Sequence, residues 1–155
     1  MISVIGLGNA GTRIAEKFSA MPQYNVYCLN NNVKRSSKYK FKLKSYETPE
    51  EYEKNIPDVR KFFKEVDDRI QFFVVGASLS SNYVLGILEQ LKEKQIDLIY
   101  IRPDVELLAG IPKLMENATF GVLQEYARSG LFNSMTLISN LKMEEIIHSI
   151  PVKEY

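Results

Sequence analysis

The sequence predicts an α/β domain of three layers, with helices on both faces of a mostly parallel sheet. Short apolar runs recur at residues 2–5, 24–29, 70–75, 96–101 and 135–138. Most are separated by segments whose apolar residues fall at helical spacing, the alternation produced by strands joined through crossover helices. Each run also stops at residues suited to strand ends: Gly6, Asn30, Gly76, Arg102-Pro103 and Ser139-Asn140 in turn.

Taken in order, the run at 2–5 breaks at Gly6, and Gly6, Gly8 and Gly11 form G-x-G-x-x-G. Ile14, Ala15 and Phe18 follow at helical spacing, so strand, glycine turn and helix come in the order a phosphate-binding turn requires. The run at 24–29 closes with Asn30-Asn31-Asn32. Residues 38–44 alternate strictly, placing Tyr39, Phe41 and Leu43 on one face and lysines on the other, as in a half-buried strand at a sheet edge. Thr48-Pro49-Glu50-Glu51 is a helix start, with Thr48 as cap, Pro49 at the first position and Glu51 placed to complete a capping box. Pro57 interrupts that helix, and Val59, Phe62, Phe63 and Val66 are expected to carry its apolar face onward. Val84, Leu85, Leu88 and Leu91 predict a further helix. Met115, Ala118, Val122, Leu123 and Tyr126 predict the last one, capped by Gly130 in a left-handed conformation.

Composition limits the function. A chain of 155 residues suits one domain with a sizeable core, and 45% hydrophobic with 25% charged residues is ordinary for a globular fold. A net charge of +1 gives no global attraction to nucleic acid or to an anionic membrane. No apolar stretch approaches the ~20 residues of a spanning helix, and the start at Met1-Ile2 has no signal-peptide pattern. A cytoplasmic location is therefore expected. Cys28 is the only cysteine and His148 the only histidine, so no intramolecular disulfide, His-rich metal site or triad is predicted. Cys28 reads as a small core residue. The lysines at 38, 40, 42 and 44 read as guards of a sheet edge rather than a nucleic-acid surface, because the aromatics lie on the opposite face.

In an open α/β sheet, ligands bind beyond the carboxyl ends of the strands. The candidate residues are then 6–11, 30–32, 76–82, 102–104 and 139–140. The first turn offers Gly6, Gly8, Asn9, Ala10 and Gly11. Its glycines allow close approach of the backbone, and the helix that follows directs free N–H groups at an anion. Residues 76–82 form a second strand-to-helix turn, whose Ser78, Ser80 and Ser81 can serve a phosphate or simply cap the helix. Asn140 can donate and accept toward a base edge, although asparagine also ends strands as a plain turn residue. No catalytic residue or metal ligand is predicted.

The order of these turns resembles the nucleotide-binding domain of the tubulin/FtsZ superfamily in a divergent form. Gly6 to Gly11 resembles that family's first glycine loop, and residues 70–75 with Gly76-Ala77 resemble the strand entering its phosphate loop. Ile99-Tyr-Ile-Arg-Pro103 and Leu137-Ile-Ser-Asn140 resemble its next two strands. The resemblance spans nearly the whole chain and implies a Rossmann-like domain over residues 1–155 that binds GTP or GDP, with magnesium. Phosphates would lie over Gly6, Gly8, Asn9, Ala10, Gly11, Gly76, Ala77, Ser78, Ser80 and Ser81, with Asn140 and Glu106 toward base and ribose. Where the family's second loop is glycine-rich around a Thr, this chain has Ser78, Leu79, Ser80 and Ser81. The chain ends at Tyr155, where the family's central helix begins. The resemblance thus implies a nucleotide-binding half without the activation domain, which does not hydrolyse GTP alone and self-associates only through a longer parent protein.

Two other readings stand beside it. Ile5-Gly-Leu-Gly-Asn-Ala-Gly11 also resembles the opening of beta-hydroxyacid dehydrogenases, which implies an NADP-binding Rossmann domain. Asn30 to Asn32 followed by Lys34 and Arg35 suits NADP's phosphate better than NAD. The other is a non-catalytic interaction module with a degenerate nucleotide site. None of these readings calls for membrane or nucleic acid.

Overall fold

The structure, a computed structural model, describes residues 1–76, 83–102 and 110–139. Its strands are β1 (Ile2–Leu7), β2 (Tyr24–Asn30), β3 (Lys40–Lys42), β4 (Arg69–Val75), β5 (Gln95–Arg102) and β6 (Ser134–Ser139). They form one six-stranded sheet in the order β3-β2-β1-β4-β5-β6, parallel at every pairing. The helices are α1 (Gly8–Glu16), α2 (Pro49–Lys54), α3 (Val84–Gln90) and α4 (Ile111–Arg128). The three-layer α/β fold expected from the apolar runs is the fold observed.

Each predicted strand forms where the apolar run lies. The central strands are covered on both faces, as parallel strands must be when crossover helices pack on each side. Val4 and Ile5 in β1, Phe72 in β4 and Leu98 in β5 are fully buried. Register places Ile5 between Tyr27 of β2 and Phe72 of β4. At the amino end of the sheet, Asp67, just before β4, binds β1 and β2: Ser3 Oγ and Asn25 Nδ2 donate to its carboxylate at 2.8 and 2.9 Å. Burial pushes this carboxyl up, but those two donors and the nearby N-terminus outweigh it and leave it below the usual value.

The strand expected over residues 38–44 lies at the sheet edge as predicted, but it is shorter, with only Lys40–Lys42 paired as β3. Leu43 is buried just past its end, Phe41 is partly buried, and Lys40 and Lys42 face solvent. A three-residue strand bearing charges offers little to a foreign strand. The helix start at Thr48 also holds: Thr48 Oγ1 accepts from the Glu51 N–H at 3.3 Å.

The expected continuation of that helix beyond Pro57 does not form. α2 ends at Lys54, and residues 60–65 are a run of turns. Pro57 cannot supply the N–H a continuing helix needs, and it disfavours helical backbone before it. Gln90 of α3 then takes the freed groups, donating to the Pro57 carbonyl at 2.9 Å and accepting from the Val59 N–H at 2.8 Å. The apolar residues still reach the core, with Val59, Phe63 and Val66 buried.

α4 forms and ends as expected. Gly130 has φ +83°, its N–H bonds to Ala127 O at 3.3 Å, and the Leu131 N–H bonds to Tyr126 O at 3.2 Å. This is the Schellman pattern that satisfies a helix's last carbonyls. Its buried face is rotated from the predicted one. Glu116 and Leu123 are buried with Phe120 packed beside them, whereas Val122 and Ala118 are exposed. A carboxylate occupies the inward stripe, which is why a purely apolar count misplaces it. No helix among the described residues is long and apolar enough to cross a membrane.

Candidate functional site

The strand order reverses between β1 and β4, so the crevice beyond their carboxyl ends is the topological switch point where such sheets bind ligands. Sequence reading placed its first turn here, and the structure shows how the turn is made. β1 ends at Leu7 and α1 begins at Gly8, whose φ of +77° is a conformation that L side chains rarely adopt. A Cβ on Gly6 would lie 2.7 Å from the Gly11 carbonyl carbon and 2.8 Å from Ala15 Cβ. A Cβ on Gly11 would lie 2.8 Å from the Phe73 carbonyl oxygen. Gly6 and Gly11 therefore let α1 lie directly on β1 and β4, while Gly8 makes the corner.

This corner leaves the amino end of α1 open. Leu7 at the cap position supplies no side-chain hydrogen bond, and no acidic residue lies in the first turn. The first N–H groups of α1 have no intrahelical acceptor, and the positive end of the helix dipole lies at this end. Beside them is a cleft of about 460 Å³, bounded by Gly8, Asn9, Asn30, Asn31, Tyr46 and Tyr52.

Asparagine amides shape one wall of this cleft. Asn9 Oδ1 accepts from Asn30 Nδ2 at 2.8 Å and from Asn32 Nδ2 at 2.7 Å. Asn30 Oδ1 in turn accepts from the Asn31 N–H at 2.9 Å, and Asn31 Nδ2 donates to Ser45 Oγ at 2.7 Å. With both donors directed at its oxygen, Asn9 keeps its own NH₂ group for other partners. Aromatic rings make the opposite wall. Tyr46 meets Tyr52 edge-on at 5.4 Å, and Tyr52 meets Tyr83 at 4.8 Å. Tyr83 donates to the Lys44 carbonyl at 3.0 Å. Burial, with Tyr46 and Tyr52 nearby, pushes its phenol up to about 12, so it stays a neutral donor.

At the end of β4, Gly76 has a packing role of its own. A Cβ there would overlap the Tyr100 hydroxyl and the Glu116 carboxylate. Tyr100 donates to Glu116 Oε2 at 2.6 Å, and the Arg102 guanidinium stands 3.3 Å from Glu116 Oε1 and 4.2 Å from the Phe120 ring centroid. Burial and the Glu116 carboxylate both push the Tyr100 phenol up, which holds the proton on Tyr100. Sequence reading missed Glu116 and Tyr100. The available signal was a glutamate in helical step with Phe120 and Leu123.

Of the residues expected in the first turn, Gly8, Asn9, Ala10 and Gly11 line one cleft, and Gly6 packs against Gly11 and Ala15. Gly76 stands at the neighbouring strand end. Ala77, Ser78, Ser80, Ser81, Glu106 and Asn140 lie outside the described residues. Cys28 is buried, and its thiol is pushed up to about 11, by burial first and by Glu16 second. It is not a nucleophile near neutral pH.

No protein family model matches the chain, and no curated protein matches it. Solved structures do. The chain is similar to an empty FtsZ dimer from M. jannaschii, with a TM-score of 0.69 and 16% identity over 98% of this chain and 48% of that one. The fold is FtsZ-like. The chain spans about half the length of that FtsZ chain. It is also similar to a short-chain dehydrogenase/reductase from Burkholderia vietnamiensis, with a TM-score of 0.50 and 11% identity over 89% of this chain and 82% of that one. At these identities the likeness speaks for the FtsZ-like, Rossmann-like fold alone.

Proposed function

We propose that this chain is the guanine-nucleotide-binding domain of a tubulin/FtsZ-like cytoskeletal protein. Phosphates would lie on the uncapped amino end of α1, held by backbone N–H groups from Gly8 to Gly11 and by the Asn9 side chain. The observation that carries the reading is the glycine-built corner at the switch point, which leaves those N–H groups beside a cleft in an FtsZ-like fold. Gly76, Ala77, Ser78, Ser80 and Ser81 would complete the phosphate contacts, and Glu106 and Asn140 would reach ribose and base.

Among the described residues, no group of three or more His, Cys, Asp or Glu could hold a metal. Glu116 is the carboxylate nearest Gly76, and it is engaged by Tyr100 and Arg102. The domain is read as binding guanine nucleotide without hydrolysing it by itself. The NADP reading is kept as a second one, because β2 ends in Asn30 where an NAD site has a carboxylate.

Calorimetry of the purified chain with GTP, GDP, ATP and NADPH tests this. Saturable heat with GTP or GDP and none with NADPH is expected. Tight NADPH binding without a guanine response overturns the reading in favour of the oxidoreductase domain. No heat from any of the four leaves a fold retained for protein contacts.

A further inference from the structure

The sheet ends in two edge strands, and they are finished differently. At β3, Tyr39 O accepts from the Cys28 N–H at 2.9 Å and the Leu43 N–H donates to Asn30 O at 3.0 Å, so by alternation Lys40 and Lys42 turn their backbone groups away from β2. The chain's own loop then covers that side. The Ser37 N–H bonds to the Lys40 carbonyl at 2.7 Å, and the Lys42 N–H donates to Ser36 Oγ at 2.9 Å. The two lysines of β3 add charge to this protection. β6 has none of it. It pairs with β5 from Ser134 to Ser139, and among the described residues no hydrogen bond reaches its outer side. Its sequence, Ser-Met-Thr-Leu-Ile-Ser, holds no charge and no proline.

Exposed apolar surface accompanies this open backbone. Leu137 is in register with Tyr100, which places it on the sheet face that carries α4, since Tyr100 bonds to Glu116 of that helix. Tyr100 is fully buried, yet Leu137 keeps 48% of its surface in water. On α4, Tyr126 packs against Phe132 just before β6, and Val122, one turn earlier on the same stripe of the helix, is exposed. An open, uncharged strand edge is a template for pairing with another strand.

We infer that β6 pairs antiparallel with β6 of a second copy of this chain, joining the two sheets into one across a twofold axis. The strand itself argues for this occupant. Turned about a twofold axis, a strand edge presents the same ladder of N–H and C=O groups in the opposite direction, so donors and acceptors match. β6 carries no charge, so no like charges are set opposite one another, and a charged partner strand gains nothing from it. The axis stands perpendicular to the sheet, which means that paired residues share a face and that the register is centred on one residue. Leu137 lies opposite Leu137, with Thr136 opposite Ile138 and Met135 opposite Ser139. This register takes the most exposed apolar side chain of the strand out of water in both copies. The pair is closed by its own symmetry and builds no filament by itself. It needs no nucleotide, so it stands or falls apart from the binding reading.

Sedimentation velocity of the full chain without nucleotide, over a concentration series, reads the assembly. A reversible shift from 17.8 kDa to twice that mass is expected. Leu137→Lys sets two like charges against each other at the axis and should weaken the dimer about tenfold or more. Leu137 is exposed in the single chain, so this variant should keep the wild-type circular dichroism. Met21→Lys is the control. It removes a comparably exposed apolar side chain near the start of β2 and should leave the dimer unchanged. Leu137→Cys reads the register. Opposed Cα atoms about 5 Å apart lie within disulfide reach, so oxidised glutathione should link its two copies. Wild type should not crosslink, because its one thiol, Cys28, is buried. A chain that stays monomeric up to about 100 μM overturns the pairing. So does a dimer as strong in Leu137→Lys as in wild type, one weakened equally by Met21→Lys, or one whose Leu137→Cys form does not crosslink.

Discussion

Asn30 donates its side-chain amide to Asn9 Oδ1 across 2.8 Å, and this bond joins the end of β2 to the first turn of α1. Because Asn32 donates to the same oxygen, the Asn9 amide has one orientation that satisfies its neighbours. Asn9→Asp keeps the accepting oxygen and exchanges the NH₂ for a second, anionic oxygen. Stability should be unchanged or slightly higher, while nucleotide binding should fall below detection, since a carboxylate would face phosphate. Asn9→Ala should instead cost about 1–3 kcal/mol, because it leaves the buried Asn30 amide without its acceptor. Urea denaturation and calorimetry on both variants check this. An Asn9→Asp protein that binds GTP as well as wild type would rule out phosphate contact by Asn9.

The glycines of the first turn should separate into two classes. Gly6→Ala and Gly11→Ala force a Cβ against backbone atoms that cannot swing aside, so each should destabilise by about 1–3 kcal/mol or more. Gly121 is the contrast. A Cβ there meets nothing within 4 Å, and the residue lies inside α4. Gly121→Ala should stabilise by roughly 0.4–1 kcal/mol, by lowering the entropy of the unfolded chain. Equal thermal shifts for the three variants would mean that α1 does not sit as closely on β1 and β4 as the structure shows.

The fold was legible because parallel strands buried on both faces announce themselves as continuous apolar runs. Residues 2–5, 70–75 and 96–101 all became strands, each extended by one or two residues at its ends. What escaped was set by tertiary partners. Residues 59–66 carry a helical pattern of apolar side chains, yet Gln90 holds Pro57 and Val59 in irregular backbone. Glu116 looks like an exposed helix residue until Tyr100 and Arg102 arrive from β5. The glycine turn was legible as a motif, but the reason for each glycine was not. Gly6 and Gly11 are also required by the close packing of α1 on β1 and β4, and only the assembled packing reveals that.

Stability should fall in alkaline solution. The Cys28 thiol is raised from 9.0 to about 11 and the Tyr83 phenol from 10.0 to about 12, in both cases by burial first. Their neutral forms are favoured in the folded state, so the unfolded chain loses protons first. The contribution of these groups is complete below pH 9.0 and drains away as pH rises toward about 12. Urea midpoints measured across that range should decline steadily. Cys28→Ala should flatten the early part of the decline, and Tyr83→Phe the later part. A midpoint that holds constant through the range would contradict the burial assigned to both groups.

The cluster beneath Gly76 should behave as a unit. Tyr100→Phe removes the proton that Glu116 Oε2 accepts at 2.6 Å, in a place where both side chains are buried, and should cost about 1–3 kcal/mol. Glu116→Ala removes the acceptor of Tyr100 and the counter-charge of Arg102 together. Breaking a fully buried pair from one side costs about 3–5 kcal/mol. Arg102 keeps 26% of its side chain exposed, so water recovers part of that loss and the low end of the range is expected. Glu116→Gln should be milder, because its carbonyl oxygen still accepts from Tyr100. The three side chains meet at one carboxylate, so their effects should not add: Tyr100→Phe introduced into Glu116→Ala should cost almost nothing further. A double-mutant cycle by urea denaturation reads this directly. Full additivity would mean that Tyr100 and Glu116 stabilise the end of β5 through separate contacts, and that the bond between them contributes little to holding Gly76 in place.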